Sequence, residues 1–228
     1  MSAPLRLVMF DMDGTLVDSQ DFIVAAMGRA FAAMGAPMPP RERVLSIVGL
    51  SLDRAIATLL PDLDAVQCRE AVTLYRQAFL SLRAENGGEA DAPLYPGARA
   101  ALQVLAARDE VLMGVATGKA RRGLDHACAA HDLDRFFVTR QTADHHPSKP
   151  SPSMLLAALG ETGAEAAQAV MIGDTSYDIE MGRAAGFRTI GVRWGYHCAD
   201  ALRDAGADVL IADFAELPGT LDRLWGTA

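Results

Sequence analysis

Lysine is almost absent from this chain. Lys119 and Lys149 are the only two in 228 residues. Positive charge as a whole is short: 21 Lys and Arg stand against 29 Asp and Glu, a formal net charge of −8. Nucleic-acid binding relies on basic groups that neutralise phosphates, so this balance excludes a general nucleic-acid binder. It still allows small phosphates held by a metal ion and a few well-placed cations. Cysteine is scarce too. Cys68, Cys128 and Cys198 are far apart and odd in number, which gives neither a disulfide framework nor metal-ligand spacing. No apolar stretch approaches the ~18–20 residues of a membrane span. The first apolar run, Leu7 to Phe10, is followed at once by carboxylates, unlike a secretory signal. The expectation is a soluble cytoplasmic protein with no membrane partner.

What is present can fill a core. Half the residues are hydrophobic and 22% are charged, which argues against disorder. Short apolar runs recur at 5–10, 111–116, 136–139, 169–173, 188–192 and 208–211. Most lack polar alternation, the pattern of strands buried on both faces of a parallel sheet. From 111 onward they alternate with helical stretches at 119–131, 152–162, 178–186, 199–205 and 213–225. That alternation predicts an α/β, doubly wound parallel-sheet core. One connection, from the first run to Val111, is far too long for an ordinary crossover. It carries helical faces of its own: Ile23, Met27, Ala30 and Met34, then Val72, Tyr75, Phe79 and Leu82. The reading is an inserted all-helical domain at 17–90, with the Rossmann-like core formed by 1–16 and 91–228. The segment 85–97, rich in Gly, Pro and acid, would be the return linker.

Two carboxylates, Asp11 and Asp13, end the first run in FDMDGT. In an open parallel sheet, ligands bind beyond the carboxyl ends of the strands. Past the other expected strands come Thr117-Gly118-Lys119, then Lys149 in HPSKPSP, then Asp174 to Asp178 in GDTSYD. Converging, these give several carboxylates, a hydroxyl, an ammonium and glycines. Clustered carboxylates cannot all ionise cheaply. A hard divalent cation removes the conflict, and Mg²⁺ suits oxygen ligands shared with a phosphate. Thr117, backbone amides and Lys149 suit the remaining phosphate oxygens.

The order DMDGT, VATGK, SKPSP and GDTSYDIEMG resembles the four motifs of the haloacid dehalogenase-like superfamily in its phosphatase branch. The inserted helices resemble that family's helical cap, and GRAAGFRTIGVRWGY is similar to the phosphoglycolate-phosphatase-like subgroup. The resemblance implies a Mg²⁺-dependent phosphatase acting on a small soluble phosphomonoester, with phosphoglycolate as the named guess. It makes Asp11 the nucleophile that forms an aspartyl-phosphate, and Asp13 the general acid and base. It makes Asp11, Asp13 (through its backbone carbonyl) and Asp174 the metal ligands. Thr117, Gly118 and Lys149 would bind the phosphoryl group, and Asp178 would act from behind, through water or by holding Lys149. Residues two apart on a strand point to one side, so Asp11 and Asp13 can serve one phosphorus.

Competing readings are narrowed by what the chain holds. Phosphonate-cleaving and dehalogenating branches lack the second acid, here Asp13, and the former uses a cap lysine that is missing between 17 and 90. A phosphosugar mutase shares all four motifs and stays open. A receiver-like phospho-switch combines similar groups, but without a nucleophile on the first strand or an inserted cap. His145-His146 reads as a surface loop, Trp194-Gly195-Tyr196 as packing or site rim, and Arg41, Arg43 and Arg54 as a solvated face that could reach a substrate carboxylate.

Overall fold

The computed structural model describes residues 4–85 and 92–226. Residues 86–91, part of the expected linker, lie outside the described residues. Strand β1 (Arg6–Phe10) is followed by helices α1 (Gln20–Ala33), α2 (Arg41–Leu45), α3 (Leu52–Leu59) and α4 (Ala65–Glu85). Then come α5 (Ala98–Ala106), β2 (Val111–Thr117), α6 (Arg121–Ala130), β3 (Thr139–Thr142), α7 (Ser153–Thr162), β4 (Ala169–Gly173) and α8 (Ser176–Ala184). The chain closes with β5 (Arg188–Val192), α9 (Ala199–Asp204), β6 (Val209–Ile211) and α10 (Leu217–Leu224).

The six strands form one sheet in the order β3-β2-β1-β4-β5-β6, all parallel. Strand order reverses direction at β1 and β4, the position where a parallel sheet opens a ligand crevice. Side chains alternate across the sheet, and β1 divides accordingly. Val8 and Phe10 join a cluster with Leu102, Leu105, Leu124 and Leu221. Leu7 and Met9 join another with Met154, Leu155 and Met181. Helices therefore cover both faces, which is why the strands carry apolar residues at successive positions. Helices α1–α4 carry a third apolar cluster that includes Ile23, Met27, Phe31, Val44, Ile56 and Val72. Gly35, with φ of 64°, sits just past α1, where a left-handed residue suits a helix end. Leu60, before Pro61, ends α3.

Two expectations need correction. The third strand is Thr139–Thr142, not 136–139. Asp134–Phe136 is a 3₁₀ turn, and Phe136 and Phe137 are buried in the first cluster. Their apolarity reports core burial, while the strand itself, TRQT, lies at the sheet edge and is largely polar. Helix α5 was also not anticipated, although Ala98, Ala101, Leu102 and Leu105 have helical spacing and are buried.

Candidate active site

The loop after β1 is placed by the sheet. The Asp11 amide donates to the Ile172 carbonyl at 2.9 Å, extending the β1–β4 ladder by one residue. Asp11 thereby sits beside the end of β4, where Gly173 and Asp174 follow. The chain then turns at Gly14, whose φ of 87° favours glycine, and whose missing side chain leaves room for Asp174. On the other flank, β2 delivers Thr117 at its last residue. Gly118 lies so close to the α2–α3 connection that a Cβ there would be 2.5 Å from the Gly49 and Leu50 carbonyls.

Asp11, Lys149 and Asp178 form a buried ionic trio. The Lys149 ammonium donates to Asp11 Oδ1 and to Asp178 Oδ1, both at 2.7 Å. Burial disfavours the Lys149 charge, but the two carboxylates outweigh it and its pKa moves up. Asp178 is held on its other side too: Oδ2 accepts from the Thr175 amide at 3.0 Å and the Thr175 hydroxyl at 2.7 Å. Asp178 is thus both the Lys149 clamp and part of the capping box that starts α8. Helix α8 begins at Ser176, two residues before the expected start.

Asp174 is fully buried. Its Oδ1 accepts from the Thr15 hydroxyl at 2.9 Å and its Oδ2 from the Tyr196 amide at 2.9 Å. Burial, then Asp178 and Asp11, push its pKa well above the usual carboxylate range. Asp11 is pushed up to about 7, chiefly by burial, with Lys149 opposing and Asp178 and Asp13 adding. Asp11 Oδ2 is buried with no hydrogen-bond partner among the described residues. Asp11, Asp174 and Asp178 each offer a carboxylate oxygen, and these oxygens lie within 4.8 Å of one another. One ammonium serves two of these three buried carboxylates, Asp11 and Asp178, and one Asp11 oxygen has no donor. Such a hard, all-oxygen, electron-rich set fits a small divalent cation.

The Asp13 carboxylate points elsewhere. Its Oδ1 accepts from the Ser19 hydroxyl at 2.6 Å and from the Lys119 ammonium at 2.9 Å. Asp11, Asp13, Thr117, Gly118 and Lys119 line one cavity of about 330 Å³. Sequence reasoning missed several groups here. Ser19 carries no motif signal. Lys119 was visible as one of two lysines, directly after Thr117. Trp194-Gly195-Tyr196 proves to be site wall: Trp194 donates to the Thr15 carbonyl at 3.1 Å, and Gly195 packs directly on Asp174. Arg41, considered for substrate contact, is occupied instead by Asp21 and Gln20. The arginines that line the cavity are Arg76, Arg83 and Arg122. Nor do the adjacent histidines form a metal pair: His146 is engaged by Ser153 Oγ at 2.8 Å and Gln141 Oε1 at 2.9 Å.

Acidic groups at the switch point, an ammonium, a threonine and a cavity that opens above them make up a site suited to a phosphate ester. The comparisons agree. Residues 8–192 match the family model described as haloacid dehalogenase-like hydrolase, and the chain belongs to that family. It is 34% identical over 221 residues to "Probable phosphatase IndB" of Dickeya dadantii, covering 96% of this chain and 94% of the relative. It is 30% identical over 222 residues to a phosphoglycolate phosphatase of Haemophilus influenzae, covering 95% and 98%. A solved hydrolase from Pseudomonas syringae superposes with a TM-score of 0.83 at 26% identity, covering 96% of this chain and 99% of the other. The chain is therefore a phosphatase of the haloacid dehalogenase-like superfamily. No helix among the described residues is long and apolar enough to cross a membrane.

Proposed function

We propose that the protein is a Mg²⁺-dependent phosphomonoesterase that works through an aspartyl-phosphate on Asp11. The observation that carries this reading is the Asp11 carboxylate itself. One oxygen is fixed by Lys149, while the other is buried at the base of the cavity with no donor. A carboxylate so held is positioned to attack. An Asp11 oxygen bonds to phosphorus as the ester P–O bond breaks, and Asp13 gives its proton to the departing alcohol oxygen. Asp13 then takes a proton from water as the water oxygen bonds to phosphorus, releasing phosphate and restoring Asp11. Ser19 and Lys119 hold the Asp13 carboxylate for both transfers. Thr117, the Gly118 amide and Lys149 bind the phosphoryl oxygens and meet the charge that develops there.

Asp11, the Asp13 backbone carbonyl and Asp174 would hold the Mg²⁺, with Asp178 keeping Lys149 in place. When bound, the cation would offset the repulsion between the Asp11 carboxylate and an anionic substrate. Residues 17–90 are read as a cap whose helices close the cavity against bulk water. The substrate is a small soluble phosphomonoester, and phosphoglycolate, the substrate named for several relatives, is the first to test.

Phosphate release with Mg²⁺ and with EDTA tests the reading, alongside Asp11→Asn. The expected result is metal-dependent turnover that Asp11→Asn lowers by about 10³-fold or more, with an unchanged circular dichroism spectrum. Full activity in EDTA, or substantial activity of Asp11→Asn with the substitution verified by mass, would sink it.

A further inference from the structure

The cavity changes character with distance from Asp11. Its floor is polar: Asp11, Asp13 and Thr117, all buried. Its walls are apolar and come from α1, the α2–α3 connection, α3 and α4: Ile23, Met27, Ile47, Leu52 and Phe79 among them. Phe79 is braced edge-on by Phe22 at 4.6 Å, and its ring faces the Lys119 ammonium at 5.7 Å. Its exposed end is basic. Arg76 and Arg83 flank Phe79 on one face of α4, and Arg122 of α6 lines the same cavity. These three make no ion pair among the described residues, whereas Arg29, Arg41, Arg108, Arg121, Arg140 and Arg188 each do.

A two-carbon acid matches this space poorly. The cavity of about 330 Å³ is of the size that takes a drug-sized ligand, and leaves space beyond a phosphoryl group and a two-carbon acid. Its short carboxylate would be set among apolar side chains, where an unpaired charge is costly. The nearest wall cation, Lys119, is already engaged by Asp13. An apolar body of aromatic size would fill the walls, and an anionic group at its far end would meet arginines suited to bidentate recognition.

We infer that the preferred substrate is a phosphomonoester whose alcohol carries an aromatic-sized apolar body ending in an anionic group. This rests on the phosphomonoesterase reading above. Initial rates should be compared for phosphoglycolate, benzyl phosphate and 4-carboxybenzyl phosphate with Mg²⁺. All three release a primary alcohol, so differences report binding in the cavity more than leaving-group reactivity. The expected order of kcat/KM is 4-carboxybenzyl, then benzyl, then phosphoglycolate, with about tenfold or more between the ends. Phe79→Ala should shrink the preference of benzyl phosphate over phosphoglycolate. Arg83→Ala should shrink that of carboxybenzyl over benzyl and, unlike Phe79→Ala, leave the preference for benzyl over phosphoglycolate in place. Turnover with phosphoglycolate preferred would overturn this inference and leave the phosphatase reading standing. Turnover that ranks benzyl first but ignores Arg83 would overturn the anionic terminus. Release from none of the three would overturn both readings together.

Discussion

Lys149 is the residue on which most of the buried charge depends. It has no accessible side-chain surface, and two carboxylates share its ammonium. Neighbouring charges of this kind are costly to build but far costlier to break, because removing one partner strands the others away from water. Lys149→Met keeps much of the volume and removes the charge. It is expected to destabilise the metal-free protein by about 3–5 kcal/mol at neutral pH, read as a lower urea midpoint in EDTA. An unchanged midpoint would mean that Asp11 and Asp178 are far better hydrated than their burial implies. The exposed pair of Arg29 with Glu85 is the useful contrast. Water already solvates both ends, so Arg29→Ala should leave the midpoint where it is. Residue identity at this scale was largely legible. Asp11, Asp13, Thr117, Lys149, Asp174 and Asp178 each stand in a short motif past a strand. Ser19 was not legible, because its role comes from its contact with the Asp13 carboxylate, and Tyr196 was legible only as packing or site rim, because it holds Asp174 through a backbone amide that no side-chain motif marks.

At the scale of the element, helix α8 shows how local structure serves the site. Thr175 caps it, accepting from the Asp178 amide and donating to the Asp178 carboxylate. The same carboxylate clamps Lys149 through its other oxygen. Thr175→Ala should therefore cost about 1 kcal/mol of stability, the usual value of a cap. It should cost more in kcat than that loss implies, since the Asp178 carboxylate would lose one of its three anchors, keeping the residue 175 amide and Lys149. Thr175→Ser, which restores the hydroxyl, should recover both. Equal recovery failure in Ser and Ala would show that the methyl group, not the hydroxyl, matters. Element reading also explains the misplaced third strand. Phe136, Phe137 and Val138 form an apolar run, yet only the two phenylalanines are buried and Val138 is exposed, so apolarity alone does not say whether the backbone is extended. Phe137 packs on Phe10 at 6.4 Å from a turn, and the edge strand that follows needs little apolarity.

At the scale of the whole molecule, three strands from across the chain and one loop meet at a single electron-rich point. Burial pushes the pKa values of Asp11 and Asp174 up, so a cation that pairs with their charged forms would favour the folded state. A ligand that binds only the folded state stabilises it by mass action, about 2.7 kcal/mol at a hundredfold excess over Kd. Mg²⁺ should raise Tm in a scan of the wild type, and Asp174→Asn should abolish that rise while still folding. A rise of equal size in Asp174→Asn would place the cation elsewhere. What the sequence determined by itself was the periodic and the local: strand-length apolar runs, helical faces, and short motifs whose spacing matches a reaction. Those signals lie within a few residues of one another, so no knowledge of the packed chain is needed to see them. Only the tertiary structure decided the strand order that sets Asp11 beside Asp174, the partners of Asp13, and the apolar walls and arginine rim over the site. Each of these depends on which distant segments pack together, and packing is chosen by the summed burial of the entire chain rather than by any one stretch of it.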